Sequence, residues 1–317
     1  MAELENTVRK ILSAMPNAAE NGAPWQFVKQ VYAKRGSYVY RARPGNGGQS
    51  DVAVKLFTSD NDKKTSRRQY DALASCWQAG FQAVPRPLYY SDADAAMVMQ
   101  WVDGHHLARS LFKASLFRRD ASRFFMAAGD WLDAFHTINR AEEQPFDPSP
   151  VLKKVRRKLD GVRGTFQLKR LASISDRYEQ LGRNLAGHPV EYVVLHGDFT
   201  PRNLFWSDGQ AVGFDTLGSR RGVALEDICR FFMYVMVRAP LFRSPDAVGV
   251  FGESGDWQTF MEAYGNLVQD PDLVRFILLG EALCRWSALN TPGVEAGKFM
   301  VHSIENKRLQ RLMYALL

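Results

Sequence analysis

In residues 3–15 the apolar side chains Val8, Ile11, Leu12 and Met15 recur at i, i+3, i+4 and i+7, which puts them on one face of an amphipathic helix and predicts a helical brace over residues 1–19. The period then shortens to that of strands. Trp25 to Tyr32, Ser37 to Ala42 and Asp51 to Phe57 are rich in β-branched and aromatic residues, and Pro44-Gly45-Asn46-Gly47-Gly48 joins the last two with a dense turn signal, so an antiparallel meander is expected. A helical stripe follows, Tyr70, Leu73, Ala74 and Trp77, and Gly80 ends it. Beyond Pro85 and Pro87, the extended runs Leu88 to Tyr90 and Ala96 to Val102 close at Asp103-Gly104. Residues 20–104 thus predict a sheet of about five strands carrying one helix.

From Leu107 onward the helical period dominates, and the strand candidates are only Tyr192 to Leu195, Leu204 to Trp206 and Ala211 to Phe214. There is no internal repeat and no low-complexity tether, so the boundary at 103–107 reads as a hinge between a first domain, 20–104, and a second, 105–317. The predicted fold class is α+β, and 317 residues suit two domains.

Composition narrows the class. Hydrophobic residues at 46% and charged residues at 24% exclude disordered and fibrous chains. Apolar runs such as Phe231 to Val237 fall far short of the roughly 18–20 residues a spanning helix needs. The chain opens with Glu3 and Glu5 and no basic flank leading into an apolar stretch, so cytoplasmic residence is expected. Cys76, Cys229 and Cys284 are odd in number, far apart and without a CxxC pair, which suits reduced structural thiols. The net charge is +7, and the stretch from Val151 to Arg170 alone holds eight bases against one acid, Asp160. Within it Leu152, Val155, Leu159, Val162 and Phe166 form a helical stripe that Gly161 and Gly164 weaken. Such a segment suits an anionic acceptor or peripheral contact with the inner membrane face, at about 1 kcal/mol per base near anionic lipid. The plain alternative is a solvated surface helix.

The sharpest chemical string is His196-Gly197-Asp198-Phe199-Thr200-Pro201-Arg202-Asn203, entered from an apolar strand. It has the H-x-D-x-x-x-x-N spacing of a phosphotransferase catalytic loop. An Asp beside an acceptor hydroxyl can take its proton as the oxygen attacks phosphorus, while an Asn five residues on offers its amide oxygen to a metal ion. Twelve residues beyond Asn203, Gly213-Phe214-Asp215 puts a second carboxylate at a strand end, where it could grip Mg²⁺. By itself the loop could equally be one whose Asp and Asn cap turns and whose His belongs to the core. Upstream, Val52-Ala53-Val54-Lys55 places a lysine on the third strand; alone it could be an edge charge, but the ordered set favours phosphoryl transfer.

Together these residues resemble the aminoglycoside phosphotransferase and choline kinase family, small-molecule kinases with a protein-kinase-like fold. The resemblance runs from about Gln30 to about Phe232 and also rests on Val84-Pro85-Arg86-Pro87, the linker Met97 to Gly104, Phe135-His136 and Glu226-Asp227-Ile228. It implies a bilobal protein-kinase-like fold with a five-stranded antiparallel N-lobe sheet and a larger, mainly helical C-lobe. It also implies ATP contacted by Lys55 through its phosphates and by the linker Gln100, Trp101 and Val102 at the adenine. Asp198 would be the catalytic base, and Asn203 and Asp215 would hold Mg²⁺. Asp227 would tie down the catalytic loop, or else serve as an ordinary helix N-cap. Asp215 is followed by Thr216-Leu217, and only eleven residues separate it from the helix start near Glu226-Asp227, too few for a peptide-binding activation segment. A small, glycan or lipid-headgroup hydroxyl is therefore the expected acceptor, and the chain carries no recognisable nucleic-acid module.

Two positions depart from the family pattern. The turn Ala33-Lys34-Arg35-Gly36-Ser37-Tyr38 has one glycine where a phosphate-covering loop would have three, so coverage falls to Gly36, Ser37 and their N–H groups. The helix position expected to supply a Glu to Lys55 is Gln69, which can hydrogen-bond the ammonium without an ion pair; Asp71 would need a rotated helix and Asp62 is a further acid nearby. These departures, with the basic segment, keep open an alternative: a catalytically weak kinase-like module binding nucleotide and an anionic partner such as lipid or nucleic acid.

Overall fold

A computed structural model of the chain describes residues 2–16, 25–34, 36–45, 50–138, 143–162, 165–216, 220–238, 255–265, 270–291 and 299–317. Arg35, Asn46 to Gly48, Gly164 and Leu217, together with the side chains of Asp62 and Phe166, lie outside the described residues. The chain divides into two compact units, Met1–His105 with Phe205–Arg220, and His106–Leu204 with Arg221–Leu317.

In the first unit, α1 (Ala2–Ser13) precedes β1 (Gln26–Lys34), β2 (Ser37–Arg43) and β3 (Val52–Phe57); α2 (Asp60–Gln78), β4 (Pro87–Ser91) and β5 (Ala96–Gln100) follow. The strands form one five-stranded antiparallel sheet in the order β1-β2-β3-β5-β4. The apolar stripe of α1 is part of this unit's core. Val8, Ile11 and Leu12 are buried with Tyr40, Val54, Leu56 and Val98, because an amphipathic helix this short gains its stability by covering its apolar stripe. Strand β5 stops at Gln100, two residues earlier than its apolar run, since the Trp101 N–H turns to the Asp51 carbonyl at 3.0 Å.

The hairpin of Leu204–Ser207 and Gln210–Gly213 directly follows the string His196 to Asn203. From Phe205 on it groups with the first compact unit. The Gly213 N–H donates to the Ala83 carbonyl at 2.9 Å, and a Cβ at Gly104 would stand only 2.4 Å from the Trp206 carbonyl oxygen, so that close approach requires glycine.

The second unit is mainly helical, with α3 (Leu107–Leu116), α4 (Ser122–Thr137), α5 (Ser149–Asp160), α6 (Thr165–Leu185), α7 (Leu225–Arg238), α8 (Gly255–Ala263), α9 (Pro271–Asn290) and α10 (Phe299–Ala315). A small sheet sets Pro189–Val194 between the three-residue strands Glu143–Pro145 and Arg221–Val223, both too short to leave a periodic signal. The basic stripe predicted as one element over 151–166 is interrupted: α5 ends at Asp160, with Gly161 as its C-cap, and α6 begins at Thr165. Phe125, Phe199, Phe231 and Phe260 are fully buried at the centre, and α9 contributes Leu278, Leu279, Ala282 and Leu283 with no exposed surface.

Candidate active site

Lys55 projects from β3 and is only 6% exposed. Its Nζ donates to Gln69 Oε1 on α2 at 3.0 Å and forms an ion pair with Asp215 Oδ1. The neutral amide of Gln69 therefore stands where the resemblance would put a carboxylate, and Asp71 is turned away to pair with Arg67 at 3.0 Å. Asp215 follows the strand end at Gly213 with φ +55, a left-handed conformation that Asp tolerates better than most residues, and its carboxylate is half exposed. Gln69, Leu73, Pro85, Met97, Met99, Phe214, Asp215 and Thr216 line a small recess beside this pair.

Gly36 has φ +92, which favours glycine, and its carbonyl accepts the Thr58 N–H at 2.8 Å. Its neighbour Ser37 opens β2 with a buried hydroxyl that has no partner among the described residues. In the linker, the Gln100 N–H donates to the Arg86 carbonyl at 2.8 Å and the Trp101 N–H is taken by Asp51. The Val102 N–H is left without a partner among the described residues. The Trp101 ring lies under the Arg41 guanidinium at 4.5 Å, and its indole N–H donates to Asp103 at 2.8 Å.

The second unit holds the string His196 to Asn203 on buried groups. Asp227 is fully buried, and its carboxylate accepts the backbone N–H of His196 at 2.6 Å and of Gly197 at 3.1 Å. It is the third residue of α7 and so not an N-cap: a carboxylate in the first turn of that helix reaches out to the loop. His136 of α4 lies 3.3 Å from the same carboxylate through Nε2, while its Nδ1 meets the Tyr264 hydroxyl at 2.7 Å. Burial opposes ionisation of Asp227, yet the hydrogen bond and charge of His136, with His196 and Arg230 nearby, hold its carboxyl below the usual carboxylate range.

His196 is a core residue. It is fully buried among Trp131, Phe135 and Phe199, and its Nδ1 accepts the Asp198 N–H at 3.3 Å, which leaves the ring proton on Nε2. Asp198 itself is exposed. Asn203 donates through Nδ2 to the Asp198 carbonyl at 2.8 Å and to Asp198 Oδ2 at 3.0 Å, so Asp198 Oδ1 and Asn203 Oδ1 have no partners among the described residues. The far end of the loop is fastened to the start of α3, where the Ala108 N–H donates to the Pro201 carbonyl at 2.8 Å.

Sequence reasoning did not find the second support of this loop. Arg230, one turn beyond Asp227 on α7, donates to the Gly197 carbonyl and is paired with Glu281 at 2.9 Å. Lys154 of α5 reaches Glu281 at 2.8 Å. Burial works against the Glu281 charge, but Arg230 and Lys154 outweigh it and bring its pKa down to about 2. The available signal was the i, i+3 spacing of Asp227 and Arg230, which puts both on one helix face.

A family profile described as the phosphotransferase enzyme family matches residues 28–246. No curated protein sequence matches the chain. Among solved structures, a choline kinase from Streptococcus pneumoniae is similar with a TM-score of 0.63 and 14% identity, over 99% of this chain and 99% of that one. A spectinomycin phosphotransferase in complex with ADP and spectinomycin is similar at 0.61 and 12% identity, over 98% of each chain. A glucosamine kinase in complex with glucosamine, ADP and inorganic phosphate is similar at 0.57 and 13% identity, over 94% of each. At these identities the likeness bears on the fold, which is protein-kinase-like with a five-stranded antiparallel sheet and a helical remainder.

Proposed function

The chain belongs to the phosphotransferase enzyme family and is a phosphotransferase with an alcohol group as acceptor, and from that premise we propose that it is an ATP- and Mg²⁺-dependent kinase using Asp198 as catalytic base. The observation that carries this reading is the anchored loop: Asp227 fixes the backbone on the N-terminal side of Asp198, and Asn203 occupies one carboxylate oxygen and leaves the other open. An acceptor hydroxyl bonded to Asp198 Oδ1 can hand over its proton as its oxygen attacks the γ-phosphorus.

Nucleotide binding is the proposed role of Lys55, Gly36, Ser37 and the linker. An ammonium has three N–H donors; Gln69 and Asp215 take two, which leaves one for a phosphate oxygen. In the linker, Val102 has the N–H available to an adenine edge, whereas the amides of Gln100 and Trp101 are committed within the protein. The ADP held by the similar spectinomycin phosphotransferase and glucosamine kinase supports a nucleotide of this type.

Asn203 and Asp215 are the proposed Mg²⁺ ligands. Their chemistry fits: both present hard oxygen donors, and the Asn203 amide nitrogen is already committed to Asp198, which leaves its oxygen for a cation. Among the described residues no three His, Cys, Asp or Glu side chains converge as a metal cage, which suits an ion that takes its other ligands from phosphate and water. Bound there, Mg²⁺ would neutralise charge on the phosphates.

The acceptor class proposed is a small hydroxyl compound, an amino alcohol or amino sugar by likeness to the choline and glucosamine kinases. The basic stretch 151–170 argues for an anionic acceptor less strongly than its composition suggests, because Lys154 is paired with Glu281 and Arg156 with Glu179. The deciding experiment measures Mg²⁺-dependent ATP turnover against a panel of choline, ethanolamine, amino sugars and aminocyclitols. Asp198→Asn, which keeps the shape but is a far weaker proton acceptor, should lower turnover by about 10² to 10⁴ while ATP still binds. Turnover equal to the wild type would remove Asp198 from the mechanism.

A further inference from the structure

Half of the large apolar side chains that stand exposed among the described residues lie in one short stretch. Phe112, Leu116, Phe117 and Met126 are 48%, 42%, 60% and 50% exposed, whereas the other four, Val31, Tyr32, Tyr314 and Leu317, lie at the sheet edge and the C-terminal end. Phe112 and Leu116 are one turn apart on α3, and Phe117 is its C-cap. The same stretch, residues 107–126, holds five bases, Arg109, Lys113, Arg118, Arg119 and Arg123, against the single acid Asp120. That acid is engaged locally, accepting the Ser122 N–H at 2.9 Å at the start of α4.

The turn joining α3 to α4 has an unusual residue in it. The Arg118 N–H donates to Ser115 and the Arg119 N–H to Ala114, a helix ending whose left-handed position normally takes glycine. Here that position is Arg118, at φ +50. The sequence thus places a strained cation beside the most exposed aromatic ring of the described residues, and the Arg119 guanidinium covers that ring at 5.5 Å.

We propose that the C-terminal end of α3 and the turn after it dock on an anionic lipid bilayer, with Phe117 and Leu116 entering the headgroup boundary and Arg118, Arg119 and Lys113 meeting the lipid phosphates. Exposed apolar groups interspersed along one short stretch with bases, one of which lies over the Phe117 ring, match a surface that is apolar below and anionic above. Leu116 and Met126 have no ring to stack on a base, so the patch suits lipid better than single-stranded nucleic acid. The sequence pointed to 151–170 for membrane contact, but on α5 Val155 is buried, Leu152 and Leu159 are only partly exposed and two of the cations are paired, so α5 shows charge with little apolar surface; the side chains of 163–170 lie outside the described residues. Helix α3 also links the patch to the chemistry. Its first turn is bonded to the Pro201 carbonyl of the catalytic loop, and its ten residues put the patch about 15 Å away along the same helix.

The test is co-sedimentation of the full chain with phosphatidylcholine vesicles, with and without phosphatidylserine, at low and high salt. Binding is expected only with phosphatidylserine and only at low salt. Arg118→Gly should weaken it about fivefold while raising the unfolding temperature, because glycine relieves the turn and removes the charge. Phe117→Ser should weaken it about tenfold with all charges retained. The control Lys153→Glu with Arg157→Glu on α5 should change it by less than the single Arg118 substitution. Absence of binding to phosphatidylserine vesicles at low salt would overturn the proposal. So would binding that survives both Arg118→Gly and Phe117→Ser, loss caused chiefly by the α5 control, or tighter binding to a single-stranded oligonucleotide than to the vesicles.

Discussion

The loop carrying Asp198 and the cluster around Lys55 are proposed for the same reaction, yet they are held by opposite means. The loop hangs on charged groups that are largely withdrawn from water and paired: the fully buried Asp227 takes two backbone amides and a histidine, and the partly buried Arg230 takes the Gly197 carbonyl and is neutralised by Glu281. Lys55 instead rests on a neutral amide and on a half-exposed carboxylate at the end of a short strand. A base must be in place before its substrate arrives, so a rigid anchor suits it. A phosphate-binding cation must let go of its resting partner when nucleotide comes, and weak, partly wet contacts allow that.

Breaking the stronger anchor gives the largest expected effect. Asp227→Ala strands two buried amides and the His136 ring, and should lower the unfolding free energy by about 3–5 kcal/mol in a denaturant titration. A loss below about 1 kcal/mol would mean that the loop is held by something else. Next comes the weaker cluster at Asp215, a proposed metal ligand. Asp215→Ala should cost about a hundredfold or more in Mg²⁺-dependent turnover, with Asn203→Ala a milder version, and a magnesium titration of ATP binding unchanged in both would remove them as ligands.

Glu281→Gln sharpens the contrast by pH. The Glu281 carboxyl is held down to about 2 from an ordinary 4.5, so the stability it contributes is complete above about pH 4.5 and drains away as pH falls toward 2. The variant leaves Arg230 and Lys154 without their anion and should be about 2 kcal/mol less stable at neutral pH. Its thermal stability should also fall less steeply than the wild type's on acidification; parallel acid limbs would show that Glu281 carries none of this dependence. The smallest effect belongs to Gln69→Glu. A carboxylate fixes Lys55 better but partly neutralises it toward phosphate, so ATP affinity should move by no more than about tenfold in either direction. In a Lys55→Ala background the substitution should do nothing further, and an effect that persists there undiminished would contradict the 3.0 Å contact.

Residues close in sequence announced themselves without any structure. The strand periods of Ser37–Arg43, Val52–Phe57 and Ala96–Gln100, the stripe of α1 and the spacing from His196 to Asn203 are all properties of neighbours along the chain, and a side chain's face depends on little more than its neighbours' periodicity. Tertiary structure alone decided that His196 is a buried hydrogen-bond acceptor, that residues 205–220 return to the first unit, and that Lys154 of the basic stretch is a partner of Glu281. It also decided what holds the loop. His196 and Asp227 lie 31 residues apart, Arg230 and Glu281 lie 51 apart, and Lys154 and Glu281 lie 127 apart. No local period encodes such pairs; each exists because a charge taken out of water must meet its complement wherever the folded chain brings one.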